Sequence, residues 1–429
     1  MKQTLIVNIG RLGGILPADK LRLCGKEMAQ LECMENAWLL IEDGRIKDFG
    51  EAAEAPEVAT HAPALDGHVA PSTAEGETSI IDAKGGTVMP SFCDSHTHIV
   101  YAGSREQEFV DKINGLSYAE IARRGGGILN SADRLHELSE GELYEQAMLR
   151  VNEIIRKGTG TVEIKSGYGL TTEDELKMLR VIRRIKETAP LQVKSTFLGA
   201  HAVGRAYTGR QKEYVDLVVE EMIPEVGRQG LADFVDVFCD EGFFAVEETA
   251  RILEAAAKWG TRPKIHGQEL ADSGGVEVAV SHQALSVDHL ESMTERDIEL
   301  FKQSDAMPTA LPGTSFFLNM PFALGRKMID AGLPMAIASD YNPGSTPSGD
   351  MKFVVSLTCI KMRLMPAEAL NAATINSAAA MDESRDYGSI TRGKVANFYI
   401  TEPIPSIDFI PYAYTTPIIS RVFLRGEEV

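Results

Sequence analysis

The chain is poor in cysteine. It has five in 429 residues (Cys24, Cys33, Cys93, Cys239 and Cys359), none in CxxC spacing. The odd, scattered set excludes a disulfide framework, and reduced thiols in a cytoplasmic protein are the expectation. Positive charge is also scarce: 43 Lys and Arg stand against 62 Asp and Glu, a formal charge of −19. That excludes nucleic acid and anionic membrane as partners, since both want a basic face. It also means that an anionic substrate would need a local cation in its site. Long apolar runs are missing as well. No window approaches the roughly 18 residues of a membrane span, and the N-terminal run Thr4–Ile9 is too short for a signal peptide. No internal repeat is visible.

What remains is a globular chain, 44% hydrophobic and 24% charged, long enough for one large domain or two. Residues 1–87 read as short strands and turns, among them a hairpin across Asp43-Gly44. Residues 51–78, rich in Ala, Pro, Glu and Gly, read as a surface loop carrying His61 and His68. From residue 86 the rhythm becomes strand then helix. Apolar strand candidates end near Asp94, Lys165, Ala200, Cys239, His266, His289, Ala310 and Asp340. Helices are expected after a capping box at Thr172-Glu-Asp-Glu175, over Glu247–Trp259 and over Phe317–Ala331. Eight such alternations predict an α/β fold, a (β/α)8 TIM-like barrel over 88–380. Gly388–Ile400 reads as a hairpin-like unit and Ile418–Leu424 as a closing strand. Residues 1–87 and 381–429 are therefore expected to pair into one composite β-sandwich domain beside the barrel.

The stretch that organises the chain is Val88-Met-Pro-Ser-Phe-Cys-Asp-Ser-His-Thr-His-Ile-Val-Tyr101. His96 and His98 are two residues apart, so on an extended strand both imidazoles point to one side. Alone, a His-X-His pair is a weak sign of a metal. Here remote partners follow their own apolar runs: His201, His266, His289 and Asp340. Taken together these residues resemble the metal-dependent amidohydrolase superfamily.

In a barrel of that kind the C-terminal strand ends converge. The first strand would bring His96 and His98, the fifth His266, the sixth His289 and the eighth Asp340. Neutral imidazoles and a carboxylate suit zinc or iron. His96, His98, His266 and Asp340 are the expected ligands of one divalent or trivalent ion, and His289 is either a further ligand or the holder of the attacking water. Relatives with two metals use a modified lysine on the fourth strand. That strand, Ala232–Glu241, has none, which favours one ion. Lys165, on the second strand, reads as a packing or supporting residue.

Further segments narrow the resemblance to the imidazolonepropionase family: Tyr101-Ala-Gly-Ser-Arg-Glu106, Gly125-Gly-Gly-Ile128, Thr161-Val-Glu-Ile-Lys-Ser-Gly-Tyr-Gly-Leu170, Thr196-Phe-Leu-Gly-Ala-His-Ala202, Lys264-Ile-His266, Leu311-Pro-Gly-Thr314 and Ala338-Ser-Asp-Tyr-Asn-Pro-Gly-Ser345. The similarity spans roughly residues 86–380, and 51–78 looks like an insertion. The resemblance implies a hydrolase of histidine degradation that opens 4-imidazolone-5-propanoate to N-formimidoyl-L-glutamate. It places substrate contacts on Arg105, Tyr168, His201, Glu269, Asn342, Gly344 and Ser345, with Arg105 suited to hold the propionate bidentately.

Glu269 is the natural proton carrier, and His289 or Asp340 could share that work, because His266-Gly-Gln-Glu269 departs from the family's more usual run of Ala and then an acidic residue after the histidine. Gly125–Gly127 would serve as a hinge or an ordinary turn; no Lys-Ser/Thr follows, so they are not a phosphate loop. Two rivals stand beside this reading. One is another amidohydrolase, a cyclic-amide hydrolase or purine deaminase. The other is a non-catalytic barrel, which the full ligand set disfavours. An exposed barrel of this size often pairs, which leaves a homodimer open.

Overall fold

A computed structural model describes residues 2–56, 78–116, 120 and 126–429. Most of the 51–78 loop, with His61 and His68, and also Gly125 lie outside the described residues.

Two sheets organise the chain. The first is mixed and is built from both chain ends: Gln3–Ile15, Glu32–Glu42, Arg45–Glu51, Thr78–Asp82 and Thr87–Pro90 join Phe398–Thr401, Ile419–Leu424 and Glu427–Glu428. Glu32–Glu42 and Arg45–Glu51 form the hairpin read from the sequence. Its two-residue turn places Asp43 and Gly44 at φ 47° and 78°, the left-handed pair that matches strand twist. Ile6, Ile9, Leu12, Val88, Phe398 and Phe423 make this sheet's apolar core.

The second sheet has eight parallel strands in sequential order: Phe92–Thr97, Thr159–Lys165, Gln192–Ala200, Phe234–Cys239, Arg262–Gly267, Ser286–His289, Met307–Ala310 and Ala336–Ile337. The eighth returns to the first. Asp340 N–H donates to His96 O at 3.0 Å and His98 N–H to Tyr341 O at 2.9 Å. These bonds close the barrel around one core.

Three local expectations are corrected. The cap of the helix Thr172–Thr188 is Thr171, whose hydroxyl accepts from Asp174 N–H, so the helix starts one residue earlier than a cap at Thr172 would place it. The expected helix over Phe317–Ala331 is two short ones, Pro312–Leu318 and Gly325–Asp330. Asn319 at φ 56° ends the first, and Pro321 cannot donate the bond that would continue it. Gly388–Ile400 is not a hairpin: only Phe398–Thr401 is strand, and its antiparallel partners are Ile419–Leu424 and Thr87–Pro90. The apolar alternation there reports burial rather than local pairing. No helix among the described residues is long and apolar enough to cross a membrane.

Candidate active site

Parallel strands deliver their C-terminal ends to one face, and the predicted residues meet there. The Nε2 atoms of His96 and His98 face each other at 3.2 Å. Each lies 3.5 Å from Asp340 Oδ1. Ligand atoms of His96, His98 and Asp340 all fall within 4.8 Å of one another, as do those of His96, His266 and His289. His96 Nδ1 bonds to Asp288 Oδ2 at 2.7 Å and His266 Nδ1 to Asp236 Oδ2 at 2.9 Å. These carboxylates keep the proton on Nδ1 and turn Nε2 toward the centre. His266 Nε2 is buried with no hydrogen-bond partner among the described residues, a costly arrangement for a polar atom unless something else takes its lone pair. Burial, Lys165 and the neighbouring imidazoles hold the His96 pKa far below its ordinary value. Burial, His201 and His266 do the same for His98. Neutral imidazoles beside a carboxylate are what a divalent metal requires, and the donor set fits one.

Beneath this cluster the barrel interior holds Lys165, read from the sequence as a packing or supporting residue, together with charges that sequence reading missed. Lys165 Nζ lies 2.6 Å from Glu163, 2.8 Å from Asp236 and 3.5 Å from Asp288. Lys264 pairs with Glu163 and donates to Ser95 O at 3.1 Å. All five charged groups are fully buried. Asp236 and Asp288 thus bind a lysine on one side and a histidine on the other, so the rings of His266 and His96 stand on an ionic floor. The available signal was charge recurring at alternate positions within apolar strands, as in Glu163-Ile-Lys165 and Lys264-Ile-His266.

Glu269 stands beside His289 at the candidate metal-binding cluster. Glu269 Oε2 is 3.5 Å from His289 Nε2, and Glu291 Oε2 is 3.4 Å from His289 Nδ1. Burial raises the Glu269 pKa, and Glu291 and Asp340 add to the rise. Burial would lower that of His289, but Glu269 and Glu291 outweigh it and raise it. Both shifts keep a proton on the pair, and a divalent cation beside it would press both downward. The turn that carries Glu269 is pinned by Asp240, which accepts from the N–H groups of Glu269, Leu270 and Ala271 at 2.8, 2.9 and 3.1 Å. His289 at φ 90° and Asp340 at φ 54° are left-handed without being glycine, strain of the kind concentrated at functional sites.

The cavity above the cluster has a volume of about 360 Å³. One wall is aromatic. The His201 ring stacks on His98 with centroids 5.2 Å apart, and Tyr168 lies 5.3 Å from His201. His201 Nδ1 bonds to Gly167 O at 3.0 Å. The far end is cationic, with Arg105 and, unread in the sequence, Lys112. One turn joins the two ends. Ser345 Oγ at its end, and Thr314 Oγ1 from the helix Pro312–Leu318, donate to Asp340 Oδ2 at 3.0 and 2.6 Å. Asn342 Oδ1 accepts the N–H groups of Gly344 and Ser345, each at 2.8 Å. Gly344 passes so close to Arg105 that a Cβ there would meet the guanidinium.

Residues 87–429 match the amidohydrolase family. The chain is 52% identical to an imidazolonepropionase of Christiangramia forsetii, over 99% of each chain. It is 51% identical to one of Flavobacterium johnsoniae, again over 99% of each. With one of Alkaliphilus oremlandii it shares 39% identity over 94% of this chain and 93% of that one. Among solved structures, E. coli guanine deaminase superposes with a TM-score of 0.73 at 14% identity, covering 100% of this chain and 99% of its own. An adenosine deaminase from Xanthomonas campestris with bound zinc gives 0.67 at 15%, covering 100% and 92%. These two likenesses show the fold. With near full-length identity of this order to its relatives, the chain belongs to the imidazolonepropionase family of the amidohydrolases.

Proposed function

We propose that the protein hydrolyses 4-imidazolone-5-propanoate to N-formimidoyl-L-glutamate in histidine degradation, using one metal ion, zinc or iron, held by His96, His98, His266 and Asp340. The observation that carries this reading is the polarity of the cavity: imidazoles and carboxylates at one end and the Arg105 guanidinium at the other, a single turn apart. The ion would supply Lewis acidity toward the ring carbonyl and lower the pKa of water at that position.

The chain's own residues do the rest. Arg105 holds the propionate by charge-assisted hydrogen bonds. Tyr168 and His201 flank the ring, and the bond from His201 Nδ1 to a carbonyl leaves its Nε2 to accept or to be shared with the ring. Burial, with His266, lowers the His201 pKa to about 3, so it acts as a neutral group. Asn342, Gly344 and Ser345 shape the floor between the two ends. Water adds to the ring carbonyl and the adjacent C–N bond breaks. Glu269, with His289 beside it, accepts the water's proton and returns it to the departing nitrogen. Five free thiols accord with a reducing compartment, and we assign the protein to the cytoplasm.

The test combines metal analysis with a substrate panel. Purified enzyme is expected to carry about one ion per chain and to turn over the imidazolone acid but not neutral purines. His266→Ala and Asp340→Ala should each lose the ion and the turnover while keeping a cooperative thermal transition. Full metal content and rate in either variant would refute the ligand set. Preference for a purine would refute the substrate.

A further inference from the structure

We infer that Lys112 sets the preference of this cavity for an anionic over a neutral ligand. The inference rests on the substrate reading above and adds to it a residue that the reading does not use.

Arg105 caps the helix Glu106–Ile113. Glu108 and Lys112 follow at three and seven residues, so all three share one helical face. Arg105 Nη2 lies 2.6 Å from Glu108 Oε2, and both side chains are almost wholly buried. Glu108 Oε1 also accepts from Gly127 N–H at 2.9 Å, which holds the carboxylate where it is. The Arg105–Glu108 pair thus brings guanidinium geometry but no net charge. Lys112 brings the charge. It lines the same cavity, and its Nζ donates to Gly344 O at 3.2 Å. An ammonium has three donors, and that bond uses one.

The rest of the chain makes this charge matter, because the whole chain carries −19. A carboxylate entering a site whose far end is neutral would be disfavoured. With Lys112 the far end carries one net positive charge among the described residues. Burial and Arg105 lower the Lys112 pKa, and a bound carboxylate would oppose both effects.

The plainer role is mechanical: Lys112 ties the helix to the Asn342–Ser345 turn. The two roles part on ligand charge. The experiment measures binding of imidazole-4-propionate and of imidazole-4-propionamide to metal-loaded enzyme by calorimetry. The proteins are wild type, Lys112→Met, Lys112→Gln and Lys112→Arg, each checked for an unchanged thermal transition. Wild type should favour the acid. Lys112→Met and Lys112→Gln should bind the acid about tenfold or more weakly, about 1.4 kcal/mol, with amide binding unchanged. Lys112→Arg should keep the preference.

If both ligands weaken equally, or the acid-to-amide ratio is unmoved, the inference is overturned and Lys112 is only a tie. Should Lys112→Met not fold, the glutamine and arginine variants decide on the same ratio. Turnover of the imidazolone acid by wild type is followed in parallel. If turnover fails while the Lys112 variants still lose acid binding, the substrate reading falls and the inference stands. Wild type that binds acid and amide equally sinks the inference and leaves the ring assignment intact.

Discussion

Glu269 and His289 illustrate how much a residue's neighbours decide. Burial raises the Glu269 pKa against the pull of His289, whereas burial would lower that of His289 but Glu269 and Glu291 outweigh it. Position alone does not say which of them moves the proton, because each lies within 3.5 Å of the other. Glu269 has the additional support of Asp240, which fixes its backbone through three N–H groups. Glu269→Gln keeps size and hydrogen bonding but cannot accept a proton at neutral pH. Its kcat is expected to fall by at least about 10²-fold with the metal retained, and the acidic limb of the pH–rate profile should disappear. A small loss, paired with a large one in His289→Asn, would transfer the role to His289.

At the scale of elements, the helix Thr172–Thr188 shows a local signal placed one residue off. Its N-terminus is held by Thr171 and by Asp174, whose carboxylate is reached by His136 at 2.8 Å and Lys177 at 2.9 Å. Burial alone would raise the Asp174 pKa, but bonds from His136, Lys177 and Thr171 bring it below the ordinary value. The bond to Asp174 raises that of His136. The signs differ. A depressed carboxylate stabilises above its unfolded pKa, about 3.9, and that contribution is lost as pH falls through the folded value. A raised imidazole stabilises below its unfolded pKa, about 6.5, and is lost as pH rises through the folded value. Asp174→Asn should therefore cost most near about pH 5.5, on the order of 0.3–1 kcal/mol as for a charge in the first turn of a helix, and less near about pH 3 or 9. Urea midpoints of the two proteins at those three pH values check it. A pH-independent difference would show that packing, not charge, is what the substitution removes.

The whole molecule places two lysines and three carboxylates in the interior of a barrel, where no solvent shields them. Such a network adds little to stability when intact, yet removing one member is severe, because the remaining charges stay buried and unpaired. Lys165→Met should destabilise by about 3–5 kcal/mol, and it should loosen metal binding, since Asp236 and Asp288 would lose the cation that holds them beneath His266 and His96. Denaturant titration together with metal retention during dialysis tests both parts. A variant as stable as wild type with unchanged metal retention would show that the floor is dispensable.

Much of this was legible in one dimension, for reasons that can be named. Strands buried on both faces are mostly apolar, so eight short runs, most of them ending on or followed by a polar group, already describe a barrel and its reactive face. His-X-His lies on one strand, and its geometry is local. The hairpin across Asp43-Gly44 is likewise written in two residues whose φ angles it needs.

Other features required distant segments to meet. Gly388–Ile400 looked like a hairpin, but its partners are a strand some twenty residues on and another some three hundred residues back. Asp236 and Asp288 are charged residues in apolar strands; only closure of the barrel sets them against His266 and His96. Lys112 lies seven residues from Arg105, and its place in the cavity depends on a helix whose face no apolar pattern announces. The sequence by itself determined the barrel strands, the order of the candidate ligands along them and the end at which they gather, because periodicity and chain direction are local properties. The tertiary structure decided which charges share a low-dielectric interior and which cations line the cavity, because electrostatic pairing depends on distance through space and not along the chain.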